Sequence, residues 1–311
     1  MKRIAILVLL PLLAQILIAA EQQEEKYGVV ISKTLTLQAS TLPELKLGFA
    51  EHFRFPFLQG KSPLTADNNI DLSMSTEISP VSLNETGEVV WTPIAFFQLA
   101  AGGRIGSGWR LDLFGAESYG IGFNRPDAGG KAEYDGNAFD GLLWKLQAGA
   151  VLQFDLAALN PGDWHHLIAR SYHEINYKGY SRADGNESWY YENDDGENCN
   201  GFNYYCNLLV GYQMPLFFNM AALLAEADLY LYDQPDRSRW GDEKIRWTFS
   251  GIFNFALNKR FDLALITQFR TRRNYLESNW EDLYYRNRTL ESSKPLRLEF
   301  YRVAAVLTFK F

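Results

Sequence analysis

The chain has 311 residues, with 30 basic against 37 acidic side chains, a formal charge of −7 and a mean hydropathy of −0.21. An acidic balance of this kind argues against nucleic acid as a partner, because phosphate binding wants clustered Lys and Arg. Aromatic residues reach 15%, high for a water-soluble chain, and that suits segments with one apolar and one polar face.

Lys2 and Arg3 open the chain, an apolar run from Ile4 to Ala20 is broken only by Pro11 and Gln15, and Glu21 to Glu25 is polar. A basic start, an apolar middle and small residues at Ala19 and Ala20 predict a secretory signal peptide, residues 1–20, cleaved near Ala20. A membrane anchor helix is the competing reading, but the run is short for a span of about 20 residues and carries Pro11. No cysteine follows the run, which argues against a lipid anchor. Losing Lys2 and Arg3 would leave 28 basic against 37 acidic side chains, a charge of −9. Residues 21–311 read as one domain, without internal repeat or low-complexity linker.

Period-two segments then follow in order: Ile31 to Ser40, Glu44 to Phe57, and Ile70 to Ser79, where Ile70, Leu72, Met74 and Ile78 alternate with Asp71, Ser73, Ser75 and Glu77. Glu51 falls on the apolar side of its segment, which a β-bulge would repair. Val89 to Gly103 and Trp109 to Gly115 flank a glycine-rich stretch that reads as a turn, Arg104 to Gly108. Leu142 to Phe154, His166 to Lys178 and Asn203 to Gln213 follow, with Met214 and Pro215 turning the chain. Met220 to Tyr232 is rich in Ala and Leu and could be a helix, but its alternation with Glu226 and Asp228 favours a strand. Arg246 to Leu257 and Arg260 to Arg272 form a tight hairpin across Asn258 and Lys259. The last segment, Leu296 to Phe311, places Tyr301, Val303, Ala305, Leu307, Phe309 and Phe311 on one face.

These make twelve strands, with ten to fourteen possible. Going back from the end, long connections (Asn274 to Pro295, Asp233 to Lys244, Gly179 to Cys199, Ala116 to Asp140) alternate with short ones (Asn258 to Lys259, Met214 to Leu216, Asp155 to Asp163, Arg104 to Gly108). Long loops on one rim and short turns on the other are the asymmetry of a membrane barrel. The expected fold is therefore all-β: a single up-and-down antiparallel transmembrane β-barrel. Leu58 to Asn68 is long for a short-rim turn, so either the first strand lies outside the barrel or this loop folds back as a constriction.

The final strand, apolar at alternate positions and ending on Phe311, resembles those of bacterial outer-membrane β-barrel proteins. SPVSLN (Ser79 to Asn84) and WTPIAFF (Trp91 to Phe97) also look like uncharacterised spirochaetal outer-membrane barrels. The resemblance implies the cell outer membrane, with its lipid as a partner, and recognition of the Phe311 strand by the barrel-assembly machinery. It implies no cofactor.

Alternation aims Arg54, Asp71, Glu77, Lys145, Arg170, Glu174, Glu226, Asp228, Arg246, Asp262, Arg270, Arg272 and Arg302 inward, with Arg110 and Asp112 from the segment Trp109 to Gly115. As pore-lining candidates they suit a porin-like channel for small polar solutes, or a salt-bridged support. A surface structural or adhesion role for the loops Gly179 to Cys199 and Asn274 to Pro295 is the alternative. Trp91, Trp109, Trp144, Trp164, Tyr212, Trp247 and Phe311 read as aromatic girdles, with His165 and His166 beside Trp164 at the interface.

Cys199 and Cys206, the two cysteines, suggest one external disulfide in an exported chain; with four scattered His they are too few for a zinc site. Asp194, Asp195, Gly196 and Glu197 suggest a calcium loop, but Tyr191 and Phe202 occupy the first and closing ligand positions. No enzyme is expected. The one candidate is a weak hydrolase signal at Arg170 to Gly179. Outer-membrane phospholipases are barrels with His, Ser and Asn at the lipid boundary; here His173 and Asn176 are present, but Ile175, two residues after His173, stands where Ser would. Ser171 could serve if it shares a face with His173. No spacing points to an omptin-like protease.

Overall fold

The computed structural model describes residues 28–311 apart from 43, 114–115 and 193, so the expected signal peptide lies outside the described residues. Twelve strands form a closed antiparallel barrel in chain order: β1 (Val30–Ser40), β2 (Leu45–Pro56), β3 (Asn69–Ile78), β4 (Ser82–Ile94), β5 (Phe97–Gly108), β10 (Leu143–Asp155), β11 (Leu167–Tyr180), β13 (Gly201–Gln213), β14 (Phe218–Tyr230), β15 (Arg246–Ala256), β16 (Phe261–Arg273) and β17 (Leu296–Lys310). The ring closes where β1 pairs with β17, from Thr34 opposite Lys310 to Ser40 opposite Ala304. Closure pairs every edge, which the period-two pattern of β17 demanded. The Ala-rich β14 is a strand, its Glu226 and Asp228 inward and Leu223, 73% exposed, outward.

The count of twelve agrees with expectation through two errors that cancel. Val89 to Gly103 is not one strand: β4 ends at Ile94 and β5 begins at Phe97, with the turn at Ala95 and Phe96. An apolar turn without Gly, Asn or Asp carries no turn signature, so it was invisible to sequence. Arg104 to Gly108 is the end of β5 rather than a turn, and Pro80 to Glu88 is mostly β4. The segment from Trp109 holds β6 (Arg110–Leu113), which pairs with β7 (Ala116–Tyr119) in a hairpin outside the barrel wall. Gly106 of β5 makes room inside the barrel, where a Cβ would run into the Asn84 side chain.

Glu51 needs no bulge. The β1–β2 and β2–β3 registers run unbroken through it, and Lys33 directly opposite makes an ion pair at 3.2 Å. A bulge does occur in β17, where Gln268 faces Arg302 but Phe269 faces Phe300. It hands the outward position to Phe300, 54% exposed, and frees Tyr301 to line an interior cavity. The loop 57–68 is largely exposed and bonds to the neighbouring short turn through Ala95 N–H and Leu64 C=O, so it is no constriction, and β1 belongs to the barrel.

On the opposite rim the connections 109–142, 181–200, 231–245 and 274–295 fold together. They carry a small sheet of β12 (Ser188–Tyr191), β8 (Ile121–Pro126) and β9 (Ala132–Asp135), and one helical turn, α1 (Arg237–Trp240). Ile121, Phe123 and Trp189 pack there with Leu143 and Tyr180 at the strand ends, an apolar core outside the barrel proper.

Candidate functional site

The polar face of the strands meets inside the barrel. Midway along it Glu174, 4% exposed, accepts hydrogen bonds from the Tyr172 hydroxyl and Asn176 amide, both at 2.7 Å, and pairs with Lys145 at 2.6 Å. A buried carboxylate with this many donors is satisfied and rigid. Arg170 bonds Asn207 at 3.2 Å, and the Tyr205 hydroxyl donates to Glu226 at 2.6 Å. Ala100, Val151 and Tyr172 pack into a dry patch beside them. Nearer the short-turn rim Asp71 binds His52 at 3.1 Å, and Asp262 pairs with Lys310.

Above this network the loop 181–200 descends into the long-loop mouth. Glu192, at φ 52°, reaches Lys46 Nζ at 2.7 Å, the Ser82 hydroxyl at 2.5 Å and the Asn84 amide at 3.0 Å. Burial pushes the Glu192 carboxyl up, but Lys46, Ser82 and Arg104 together hold it below its usual range. On the far side Glu197 is clamped between Arg273 at 2.6 Å and Arg288 at 3.1 Å, tying the loop to β16 and to the loop 274–295. Asp242, on the loop 231–245, is fully buried with Arg273 at 3.5 Å and Arg237 at 3.9 Å. Burial outweighs those cations and pushes its carboxyl up to about 6.

The descending loop divides the mouth into two compartments. One is a cavity of about 250 Å³ between Trp189, Tyr191, Asp194 and Asn198 of the loop and Arg104, Lys145 and Lys178 of the wall. The other, about 190 Å³, meets Asp195 and Glu197 on the loop's other side and is lined by five arginines: Arg246, Arg270, Arg272, Arg273 and Arg288. Asp228 borders both. In the second compartment Arg272 lies over the Trp280 ring at 4.4 Å and Arg270 over Tyr301 at 4.4 Å. Arg270 also reaches Glu299 at 3.1 Å, and Arg272 reaches Glu281 at 3.3 Å. Its lining concentrates five arginines with Asp195, Glu197 and Asp228, and Glu299 and Glu281 hold Arg270 and Arg272 from its edge.

Of the sequence-read candidates, Arg246, Asp228, Arg270 and Arg272 come together in this compartment and Lys145 lines its neighbour. Glu174, Glu226 and Arg170 belong to the network below, Arg302 binds Gln268 at 2.5 Å and Glu44 near the rim, and Asp262 sits at the opposite end. Arg110 and Asp112 are on the external β6–β7 hairpin, where Arg110 pairs with Glu117, so neither can line a pore. Lys46, Lys178, Glu192, Glu197, Arg273 and Arg288 were missed, four of them at strand ends or in loops where alternation gives no direction.

The disulfide is also corrected: Cys199 and Cys206 are free thiols. Cys199 is buried in the loop against the Tyr285 hydroxyl at 3.4 Å, whereas Cys206 lies on β13 opposite His173. Five residues of extended strand from Gly201 to Cys206 span about 17 Å, and the two Cα atoms of a disulfide lie within about 7 Å.

Fold and interior together define a closed β-barrel with a polar interior, capped at one rim by folded loops. No family model and no curated protein matches the chain. Among solved structures it is similar to the beta domain of the Bordetella autotransporter Brka, at 10% identity and a TM-score of 0.42, covering 90% of this chain and 98% of that one. It is also similar to KdgM porin, at 8% identity and a TM-score of 0.36, covering 90% and 99%. Likenesses this distant say nothing about activity.

Proposed function

We propose that the protein is an outer-membrane channel for small anionic solutes, with the loop 181–200 as its constriction. The arginine-lined compartment supports this reading most: cations stacked on Trp280 and Tyr301 offer carboxylates bidentate donors, and the rings offer apolar sugar-like faces a surface. Membrane placement is supported by the outward face, where Leu146 at 63%, Ile175 at 56% and Phe269 at 42% exposure stand among other apolar residues. Trp144 stacks on Tyr177 at 4.9 Å near the long-loop rim, and Phe309 and Phe311 pack at 4.7 Å near the other, as interfacial belts would. Lipid and, during insertion, the barrel-assembly machinery at the Phe311 strand are the expected partners. The SPVSLN and WTPIAFF likenesses would make that membrane spirochaetal.

Reconstitution in planar bilayers under a salt gradient tests the channel. A reversal potential on the anion side, with uptake of glucuronate over glucose into vesicles, is expected. A folded, inserted barrel that never conducts, or that prefers cations, refutes it.

One observation favours a surface-recognition role as the second reading. The external loops have a packed core of their own, with Trp189 and Ile121 fully buried, and so present a fixed surface. Replacing 274–295 with a short turn should then abolish partner binding and leave the barrel inserted.

A further inference from the structure

The outward face carries one feature a channel does not use. On β11, Ser171 and His173 point the same way, and Ser171 Oγ lies 2.8 Å from His173 Nε2. His173 Nδ1 lies 2.6 Å from the hydroxyl of Tyr204 on β13. Both contacts are exposed, and Ser171 stands between Leu152 and Leu208, His173 between Ala150 and Cys206. Polar side chains in the lipid-facing band are costly to keep, so a hydrogen-bonded set of them marks a functional site. The small side chains of Ala148, Ala150 and Ala225 flank the set on the same face.

We propose that Ser171, His173 and Tyr204 form an acyl-transfer site on the outer wall, acting on apolar carboxylic esters dissolved in the membrane. This rests on the membrane placement proposed above and not on the channel. With Nδ1–H donating to the Tyr204 oxygen, the Nε2 lone pair faces Ser171 and acts as the base. Ser171 Oγ attacks the ester carbonyl while its proton passes to Nε2. The ester C–O bond breaks, and the leaving alkoxide takes that proton to depart as the alcohol. Water then attacks the acyl-serine, giving one proton to Nε2, and the carboxylic acid leaves as Ser171 recovers its proton. Tyr204 is a positioning residue.

Depth selects the ester. Four residues separate His173 from the Tyr177 belt, about 13 Å along the strand and about 10 Å below the interface at the usual tilt. An ester anchored under a charged headgroup stays at the belt, whereas a diacylglycerol or a fatty-acid ester of an apolar alcohol sinks to this level. The strand N–H groups around Ser171 are engaged in pairing with β10 and β13, so no backbone donors await the oxyanion and turnover will be slow.

The full-length protein, refolded into phosphatidylcholine vesicles and checked by heat-modifiable mobility, is exposed to a fluorophosphonate probe, and the label is mapped. Labelling at Ser171 is expected, slowed about 100-fold or more by His173→Ala. Tyr204→Phe should lower the maximal labelling rate while leaving the probe concentration at half-maximal rate unchanged, as loss of a positioning contact requires. Added p-nitrophenyl palmitate or diacylglycerol should be hydrolysed and the host phosphatidylcholine spared. Ser171→Ala should abolish labelling and leave conductance unchanged, so failure here is separable from failure of the channel. A folded barrel unlabelled at Ser171, or labelled equally fast in His173→Ala, overturns the site. Hydrolysis of phosphatidylcholine as fast as of the apolar esters overturns the substrate class.

Discussion

Replacing Glu192 by Gln should loosen the constriction. The carboxylate sits with Lys46 at 2.7 Å, their side chains 15% and 16% exposed, and it also accepts from Ser82 and Asn84. Gln keeps the shape and an acceptor for those two neutral donors, so the loss is confined to the charged partners, Lys46 and, at 3.9 Å, Arg104. Fully exposed ion pairs contribute about 0–1 kcal/mol and breaking fully buried ones costs about 3–5 kcal/mol. At this intermediate exposure about 2 kcal/mol is expected, close to a hydrogen bond to a charged group. At about 1.4 kcal/mol per decade this moves the closed-to-open ratio of the loop about 30-fold. Conductance per inserted barrel, read in planar bilayers at neutral pH, should rise accordingly where the closed form dominates. Lys46→Met should do the same, and the double variant should add little, because both remove one interaction. The pH dependence has a definite sign. Because the folded-state value of Glu192 lies below the usual range, its contribution is present above the ordinary carboxylate range and is lost only as pH falls through that depressed value. Wild-type and Gln variants of equal conductance, both folded, would refute the latch.

Arg270→Gln with Arg272→Gln should carry the reversal potential toward zero, since these two are the cations held over the compartment's aromatic rings. Asp242→Asn should stabilise the loop cap at neutral pH by up to about 3 kcal/mol, the cost of keeping ionised at pH 7 a carboxyl that burial pushes up to about 6. The penalty of the wild-type aspartate sets in as pH rises from about 4 to about 6 and is constant above, so loop protection from protease should differ between the two proteins at pH 7 and converge below pH 4. Leu265→Arg, on the outward face of β16, should cost about 2–4 kcal/mol if that face meets lipid, measured by urea unfolding from vesicles; an unchanged midpoint would contradict the membrane placement. Thiol titration should find two reactive cysteines after denaturation without reductant, and Cys199, fully buried, unreactive before it.

Sequence made the barrel legible because the lipid-facing rule is local: Leu142 to Phe154 and Phe261 to Arg272 each declare their two faces within a dozen residues. It also put Asp228, Arg246, Arg270 and Arg272 on the correct face. What alternation cannot say is how far along the axis a residue lies or what a long loop does. Glu192 carries no sequence signal and Glu197 stands only in a calcium-loop pattern that fails, yet each is held by cations from distant strands or loops. Tyr301 was assigned to the wrong face because a single bulge resets the parity of everything before it. The turn at Ala95 and Phe96 was hidden for a related reason, being apolar where a soluble protein would place a polar turn.

The junction of the first and last strands registers seven residue pairs, whereas the β16–β17 junction beside it registers thirteen. A ring fails first where its backbone stitching is shortest, so this seam is where the wall would part under strain and where a partly made cylinder would wait to be joined. Since β1 emerges first from synthesis and β17 last, the earliest strand has to be held without its mate until nearly the whole chain exists, and a copy shortened by even its final strand would leave two sticky margins rather than a slightly smaller tube.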